Sequence, residues 1–86
     1  MIDLKRLFAK MTENGYFYFS GLTNSNGEFD ITFSTLHDGR GNMVHIVMNI
    51  DQKYDLNIDV DHCSKDTINL SEKEISILLD MYVFVK

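Results

Sequence analysis

Three residues that could act together in catalysis stand on the outward parity of the predicted strands. Ser34, His45 and Asp59 are expected to form one row across a β-sheet, with the histidine between the hydroxyl and the carboxylate. A set of Ser, His and Asp is the chemistry of nucleophilic acyl transfer. The sequence around Ser34 supplies no nucleophile elbow and no recognisable oxyanion-hole donors. We therefore predict no catalytic role for the row, and an enzyme that uses His45 is kept as a third hypothesis.

A second group, Asp61, His62 and Cys63, offers oxygen, nitrogen and sulfur ligands in consecutive positions. A structural zinc site usually needs two paired ligand motifs, and the chain contains neither a C-x-x-C nor an H-x-x-x-H sequence. A calcium loop that began at Asp59 would need a glutamate where Leu70 stands. We predict no metal ion and no cofactor.

A hairpin over residues 43–60 positions most of these side chains. It reads as two alternating strands around a short polar turn, a strong hairpin pattern. Pairing apolar with apolar residues puts Ile50 opposite Tyr54 and, across the preceding loop, Leu36 opposite Met43. The apolar parity of the hairpin consists of Val44, Ile46, Met48, Ile50, Leu56, Ile58 and Val60.

The polar parity is rich in carboxylates, and it forms the predicted binding surface. Between residues 28 and 61 the sequence has seven acidic residues and two basic ones. Charge at outward strand positions often serves only to keep an open face in solution. The functional interpretation is an electrostatic docking surface with tyrosine anchors. The candidate protein-binding residues are Tyr16, Tyr18, Glu28, Asp30, His45, Asp55, Asp59 and Asp61.

Two amphipathic helices are predicted near the ends of the chain. The first lies between an N-cap at Asp3 and a stop at Asn14 and Gly15. The last begins with a capping box made by Ser71 and Glu74. The first helix carries the stripe Leu4, Leu7, Phe8 and Met11; the last carries Ile75, Leu78, Leu79 and Tyr82 on one side and Ile77, Met81 and Phe84 on another.

The first strand is expected over residues 16–23 and the second over residues 28–36, joined by a three-residue turn that ends at Gly27. A slip of one residue would exchange the two faces of the first strand. In the predicted register Phe17, Phe19 and Gly21 face the core, whereas Tyr16, Tyr18 and Leu22 face the other way.

Together these elements predict one α+β domain over residues 1–86, in the order α-β-β-β-β-α. A four-stranded antiparallel meander is expected, with the N-terminal and C-terminal helices packed on one face and the other face open. Residues 61–66 are interpreted as an irregular polar segment between the fourth strand and the last helix.

Charge and composition limit the classes of function that the sequence predicts. The net charge of −5 argues against direct binding to nucleic acid or to an anionic membrane, and it permits a basic protein partner. A single cysteine, with neither a secretory leader pattern nor a long apolar run, predicts a cytoplasmic protein.

The leading hypothesis is a small acidic, non-enzymatic protein-binding module. It would inhibit a basic, nucleic-acid-handling protein, as antitoxins, immunity proteins and phage anti-defence proteins do. The alternative is a structural homo-oligomer, such as a homodimer, assembled through the open sheet face or the C-terminal helix.

Overall fold

A computed structural model describes residues 2–37, 40–61 and 63–84 of the chain. These residues form an α+β fold in which one antiparallel sheet has the strand order β1-β2-β3-β4-β5. The α+β class and the antiparallel meander are confirmed, but the predicted number of four strands is wrong. The elements are α1 Leu4–Glu13, β1 Phe17–Thr23, β2 Phe29–Ser34, β3 Met43–Met48, β4 Tyr54–Val60, β5 Cys63–Leu70 and α2 Glu72–Tyr82.

Helix α1 begins and ends where its capping residues predict. The Asp3 side chain accepts hydrogen bonds from two backbone amides of the first turn, which satisfies donors that have no partner inside the helix. Asn14 is the C-cap, and Gly15 follows with a φ of +87°, a conformation that costs glycine little. The stripe turns Leu7 and Met11 into the core.

Helix α2 begins with the predicted capping box. The Ser71 amide donates to Glu74 Oε1 at 2.9 Å, and the Glu74 amide donates to Ser71 Oγ at 3.1 Å. Leu70 and Ile75, which flank the capping box in the positions of a hydrophobic staple, are both buried. The local sequence therefore determines the start of this helix.

Both helices cover the same face of the sheet. The Phe8 ring of α1 meets the Phe33 ring of β2 edge-on at 5.1 Å, and α2 contacts β4 and β5. The core between these layers contains Leu7, Met11, Tyr16, Phe29, Ile31, Phe33, Val44, Ile46, Met48, Tyr54, Leu56, Ile58, Val60, Leu70, Ile75, Leu79 and Val83.

Strand β5 corrects the prediction of an irregular segment at residues 61–66. Cys63 pairs with Val60, and Lys65 pairs with Ile58 on the helix side of the sheet. At that position the Lys65 ammonium lies 5.6 Å from the centre of the Tyr82 ring. An edge strand is held by backbone hydrogen bonds and exposes much of its surface, so an apolar alternation does not have to mark it.

The β3–β4 register differs from the predicted one by two residues. Met48, not Ile50, pairs with Tyr54. The Asn49 side chain accepts hydrogen bonds from two backbone amides of the turn, which lengthens the loop and leaves Ile50 65% exposed. Because the shift is even, every side chain that stays within the two strands keeps its predicted face, and only Ile50, now in the turn, leaves the core.

The β2–β3 register is shifted by two residues as well. Ser34 pairs with Met43, so Leu36 lies in the loop rather than opposite Met43. Thr35 and Asn42 close this loop: the Thr35 amide donates to the Asn42 carbonyl at 3.0 Å, and the Asn42 amide donates to Thr35 Oγ1 at 2.9 Å.

A bulge in β1 overturns the predicted facing of the aromatic strand. The turn itself is as predicted, because the Asn24 amide donates to the Glu28 carbonyl across three residues and Gly27 has a φ of +87°. Tyr18 pairs with Phe33 and Ser20 with Thr32, which leaves Phe19 as an extra residue. Gly21 faces the core, as predicted. Tyr18 was predicted to face away from the core but lies on the helix side of the sheet. Phe17 was predicted to face the core but pairs with Ser34 and faces away from it.

Candidate functional site: the open face of the sheet

The candidate site is the sheet face opposite the helices, called the open face below. Its side chains come from the outward parity of β2 to β5, which the three pairings align in rows. One row contains Asp30, Val47 and Asp55; the next contains Thr32, His45, Asn57 and Asp66; the third contains Ser34, Met43, Asp59 and Ser64.

Four carboxylates stand on the open face, from Asp30, Asp55, Asp59 and Asp66. No lysine or arginine of the five described strands points to this side, because the only such residue within the strands, Lys65, faces the helices. Backbone pairing holds the four side chains on one surface, so their charges add to one negative field.

His45 pairs with Asp30 and not with Asp59 as predicted. Its Nε2 lies 2.6 Å from Asp30 Oδ1, diagonally across the β2–β3 pair, and about half of each side chain is exposed. The residue opposite His45 on β4 is Asn57. When His45 is protonated, the contact becomes an ion pair that offsets one of the four negative charges.

The predicted row of Ser34, His45 and Asp59 does not form. Ser34 is fully buried, and its hydroxyl donates to the Leu36 carbonyl at 2.8 Å. Its neighbour on β3 is Met43 rather than His45. A buried hydroxyl already committed to a backbone carbonyl, without the histidine beside it, lacks the arrangement of a nucleophile and base.

The other aspartates divide into one structural residue and two exposed ones. Asp55 Oδ1 accepts a hydrogen bond from the Asn69 amide at 3.0 Å, where Asn69 has a φ of +59° and β5 bulges. Asp59 and Asp66 are exposed and make no hydrogen bond or ion pair with the described residues. These two carboxylates are therefore the most available for a partner.

Two further acids from the sequence prediction lie in turns at opposite ends of the sheet. Glu28 Oε1 accepts from the Asn24 side chain at 3.1 Å in the β1–β2 turn. Asp61 Oδ1 accepts from the Asn42 side chain at 3.3 Å, and the Asp61 amide donates to Asn42 Oδ1 at 3.2 Å. Both residues hold turns together at the margin of the open face.

Neither predicted tyrosine lies on the open face. Tyr16 is 5% exposed and belongs to the core, and burial raises the pKa of its hydroxyl, which the Asn42 side chain partly opposes by hydrogen bonding. The Tyr18 ring packs 5.9 Å from the Phe8 ring on the helix side. Half-buried Met43 and Val47 supply the apolar part of the open face instead.

Sequence reasoning missed Asp66 because residues 61–66 were not assigned to a strand. Once β5 is aligned with β4, Asp66 lies opposite Asn57 in the same row as His45. The only sequence signal is the alternate positions Ser64, Asp66 and Ile68, of which only the first two are polar, and such a pattern does not distinguish an edge strand from a loop.

The described residues contain neither a cluster of metal ligands nor a helix suited to a membrane. Within residues 2–37, 40–61 and 63–84, no three His, Cys, Asp or Glu side chains come close enough to hold a metal ion. His62, which belongs to the candidate metal group of the sequence, lies outside the described residues. Neither of the described helices is long and apolar enough to cross a membrane.

Comparison of the chain with protein-family models, with curated proteins and with solved structures finds no match.

Proposed function

We propose that this chain is a small protein-binding module whose open face docks on a basic protein. The observation that carries the proposal is the segregation of charge: four aspartates and neither lysine nor arginine on the open-face positions of the described strands. A partner with a complementary basic surface is attracted by the combined electric field of the four aspartates. This attraction raises the association rate of the partner as well as its affinity.

The proposed role of the module is to inhibit its partner. A protein that handles nucleic acid carries a basic surface for phosphate groups, and an acidic sheet face of this kind would compete for that surface. Met43 and Val47 at the centre provide apolar contact inside the charged rim, the usual anatomy of a protein interface. The classes that this size and charge favour are antitoxins, immunity proteins and phage anti-defence proteins.

The proposed site of action is the cytoplasm. Cys63, the only cysteine, is exposed as a free thiol at the start of β5. An exposed thiol of this kind is most compatible with a reducing compartment.

The test compares capture of proteins from an extract of the source organism by three immobilised forms of the chain. These are the wild type, an Asp59→Lys/Asp66→Lys double variant, and Asp80→Lys as control. Asp80 lies on α2, its side chain is 66% exposed, and its contact with Lys10 is a surface pair of 3.9 Å that contributes little to stability. The double variant changes the charge where the open face has free carboxylates.

The proposal expects a basic protein that the wild type and Asp80→Lys retain and the double variant releases. Its binding to the wild type should weaken as salt rises, because attraction between exposed charges is screened. Equal retention of the same proteins by all three forms would remove the open face as the binding surface. Circular dichroism of each form verifies that the sheet is intact.

A second candidate function is a structural homo-oligomer formed through α2. Ile77 and Met81 leave 49% and 56% of their surface exposed on that helix, as the second apolar stripe of the sequence suggests. Assembly through the open face is disfavoured, since it would bring four aspartates of each copy together. Sedimentation of an Ile77→Glu variant tests the helix route: the candidate requires this variant to be monomeric where the wild type self-associates.

A further inference from the structure

Strand β1 is an edge of the sheet that carries no charge. Its seven residues, FYFSGLT, pair with β2 on one side, and no described strand lies on the other. Three large apolar side chains are exposed along it: Tyr18 by 49%, Phe19 by 41% and Leu22 by 78%. Exposed apolar edge strands are the surfaces that most readily pair with another chain.

The opposite edge of the sheet is protected. Strand β5 carries Lys65 and Asp66 and is interrupted by the bulge that Asp55 holds at Asn69. Charges on an edge strand oppose pairing with a further strand. Both edge strands contain a bulge, at Phe19 in β1 and at Asn69 in β5, so the charges of β5 are what distinguishes the two edges. The uncharged strand β1 is therefore the one that is suited to strand addition.

An apolar groove of about 320 Å³ runs beside the β1 edge, between β1 and α1. Phe8, Tyr18 and Leu22 line it together with Gly21. A Cβ atom on Gly21 would stand 2.7 Å from the Asp30 carbonyl oxygen, so the position requires glycine for close approach to β2. The absence of a side chain at Gly21 also leaves the floor of the groove open.

We infer that this edge is a dimer interface, in which β1 of one copy pairs antiparallel with β1 of a second copy. The charge distribution selects the second copy as the partner. The chain has a net charge of −5, so two copies repel each other over most approaches, and a neutral edge lets them meet without facing carboxylates. A basic partner, by contrast, gains no electrostatic attraction from an uncharged strand.

The β1 edge suits an isologous dimer, in which both copies contribute the same strand. Antiparallel pairing about a two-fold axis brings the Tyr18 end of one strand beside the Thr23 end of the other. The Tyr18 ring of each copy then lies next to the groove that Gly21 leaves open in its partner. Within each copy the Tyr18 hydroxyl donates to the Gly21 carbonyl at 3.1 Å.

The resulting assembly is one sheet of ten strands, five from each copy. A two-fold axis perpendicular to the sheet keeps both open faces on the same side. The two β1 strands form a neutral centre, and the aspartates of β4 and β5 lie toward the two ends. The dimer uses an edge of the sheet that docking of the open face on a basic protein leaves free.

Sedimentation velocity over a range of concentrations tests the inference with three variants. Leu22→Glu puts a carboxylate on the β1 edge next to Asp30. Ile68→Glu is the matched control: Ile68 is 70% exposed, lies on β5 and faces the open side near Asp55, so the added charge and its acidic neighbour are equivalent. Ile77→Glu reports on the α2 route.

The expected result is a wild-type dimer that Leu22→Glu weakens by about tenfold or more, while Ile68→Glu and Ile77→Glu dissociate like the wild type. A wild type that stays monomeric at the highest concentration overturns the inference. A dimer that Ile68→Glu or Ile77→Glu weakens while Leu22→Glu does not also overturns it, because the interface then lies elsewhere.

Amide hydrogen exchange of the wild type gives a second measurement that needs no variant. Dimerisation through β1 should slow exchange of the residue 17–23 amides as concentration rises, with the β5 amides unchanged. Slowing confined to β5 or to α2 would contradict the β1 interface. Mutation of Asp59 and Asp66 leaves the dimer intact in this arrangement, so the dimer and the docking proposal can fail separately.

Discussion

At the scale of single residues, the four carboxylates of the open face differ in what they contact. Asp30 meets His45 at 2.6 Å, and Asp55 accepts the Asn69 amide at the β5 bulge. Asp59 and Asp66 are exposed without a partner among the described residues. The first two residues are therefore partly structural, and the last two are the ones to vary when binding is studied.

Substitution of Asp55 should reduce stability more than substitution of Asp59. Asp55→Ala removes the acceptor for the Asn69 amide and is expected to lower the free energy of unfolding by about 1 kcal/mol. Asp59→Ala, in the same strand and on the same face, is expected to stay within about 0.5 kcal/mol of the wild type. Urea unfolding at pH 7 measures both, and equal losses would show that the bulge contact is dispensable.

At the scale of elements, the capping box of α2 links stability to pH. The pKa of Glu74 is lowered, first by the hydrogen bond from the Ser71 amide and then by the Ser71 side chain. A carboxylate with a lowered pKa favours the folded state at neutral pH. That contribution is lost as the pH falls from the ordinary value of 4.5 through the lowered value of the folded protein.

Ser71→Ala should destabilise the protein by about 1 kcal/mol at neutral pH, the usual effect of losing an N-cap serine. The penalty should become smaller in acid, because Glu74 is protonated there and the Ser71 hydroxyl no longer holds a carboxylate. Ser76→Ala, in the interior of the same helix, is the control and should be neutral or slightly stabilising. Thermal or urea unfolding at both pH values measures the difference, and a penalty that grows in acid would contradict the assignment.

At the scale of the whole molecule, negative charge is concentrated on one layer. The open face carries four aspartates, whereas the two helices carry equal numbers of basic and acidic residues: Lys5, Arg6, Lys10 and Lys73 against Glu13, Glu72, Glu74 and Asp80. Such a distribution produces a directional field that can orient an approaching partner. It also leaves mutual repulsion among the aspartates, which the fold has to offset.

Added salt should therefore stabilise the free protein. The free energy of unfolding in urea should rise by about 0.5 kcal/mol between low salt and about 0.3 M salt, as repulsion on the open face is screened. The rise should shrink in an Asp59→Asn/Asp66→Asn variant and persist in Asp80→Asn. A salt effect of the same size in all three forms would place the repulsion outside the open face.

The sequence by itself determined the features that depend on neighbouring residues. Asp3 and Ser71 start their helices because a side-chain oxygen reaches amides two or three positions along the chain. Gly27 closes its turn because glycine adopts a positive φ without strain. The parity of β3 and β4 is equally local, so the core and open-face lists of residues 43–60 hold apart from Ile50, which the longer turn leaves outside the core.

Only the tertiary structure decided which residues meet across strands. Three contributions set the registers: the Asn49 side chain in its turn, the Thr35–Asn42 closure, and the extra residue Phe19 in β1. Each of them shifts the pairing of two strands by one or two residues. Such a shift hardly changes how well each residue suits a strand, so the sequence pattern does not reveal the shift. As a consequence, His45 meets Asp30 rather than Asp59, and the two tyrosines do not lie on the open face. Strand β5 adds Asp66 to that face. The physical reason is that backbone pairing and turn hydrogen bonds outweigh the apolar pattern from which the registers were predicted.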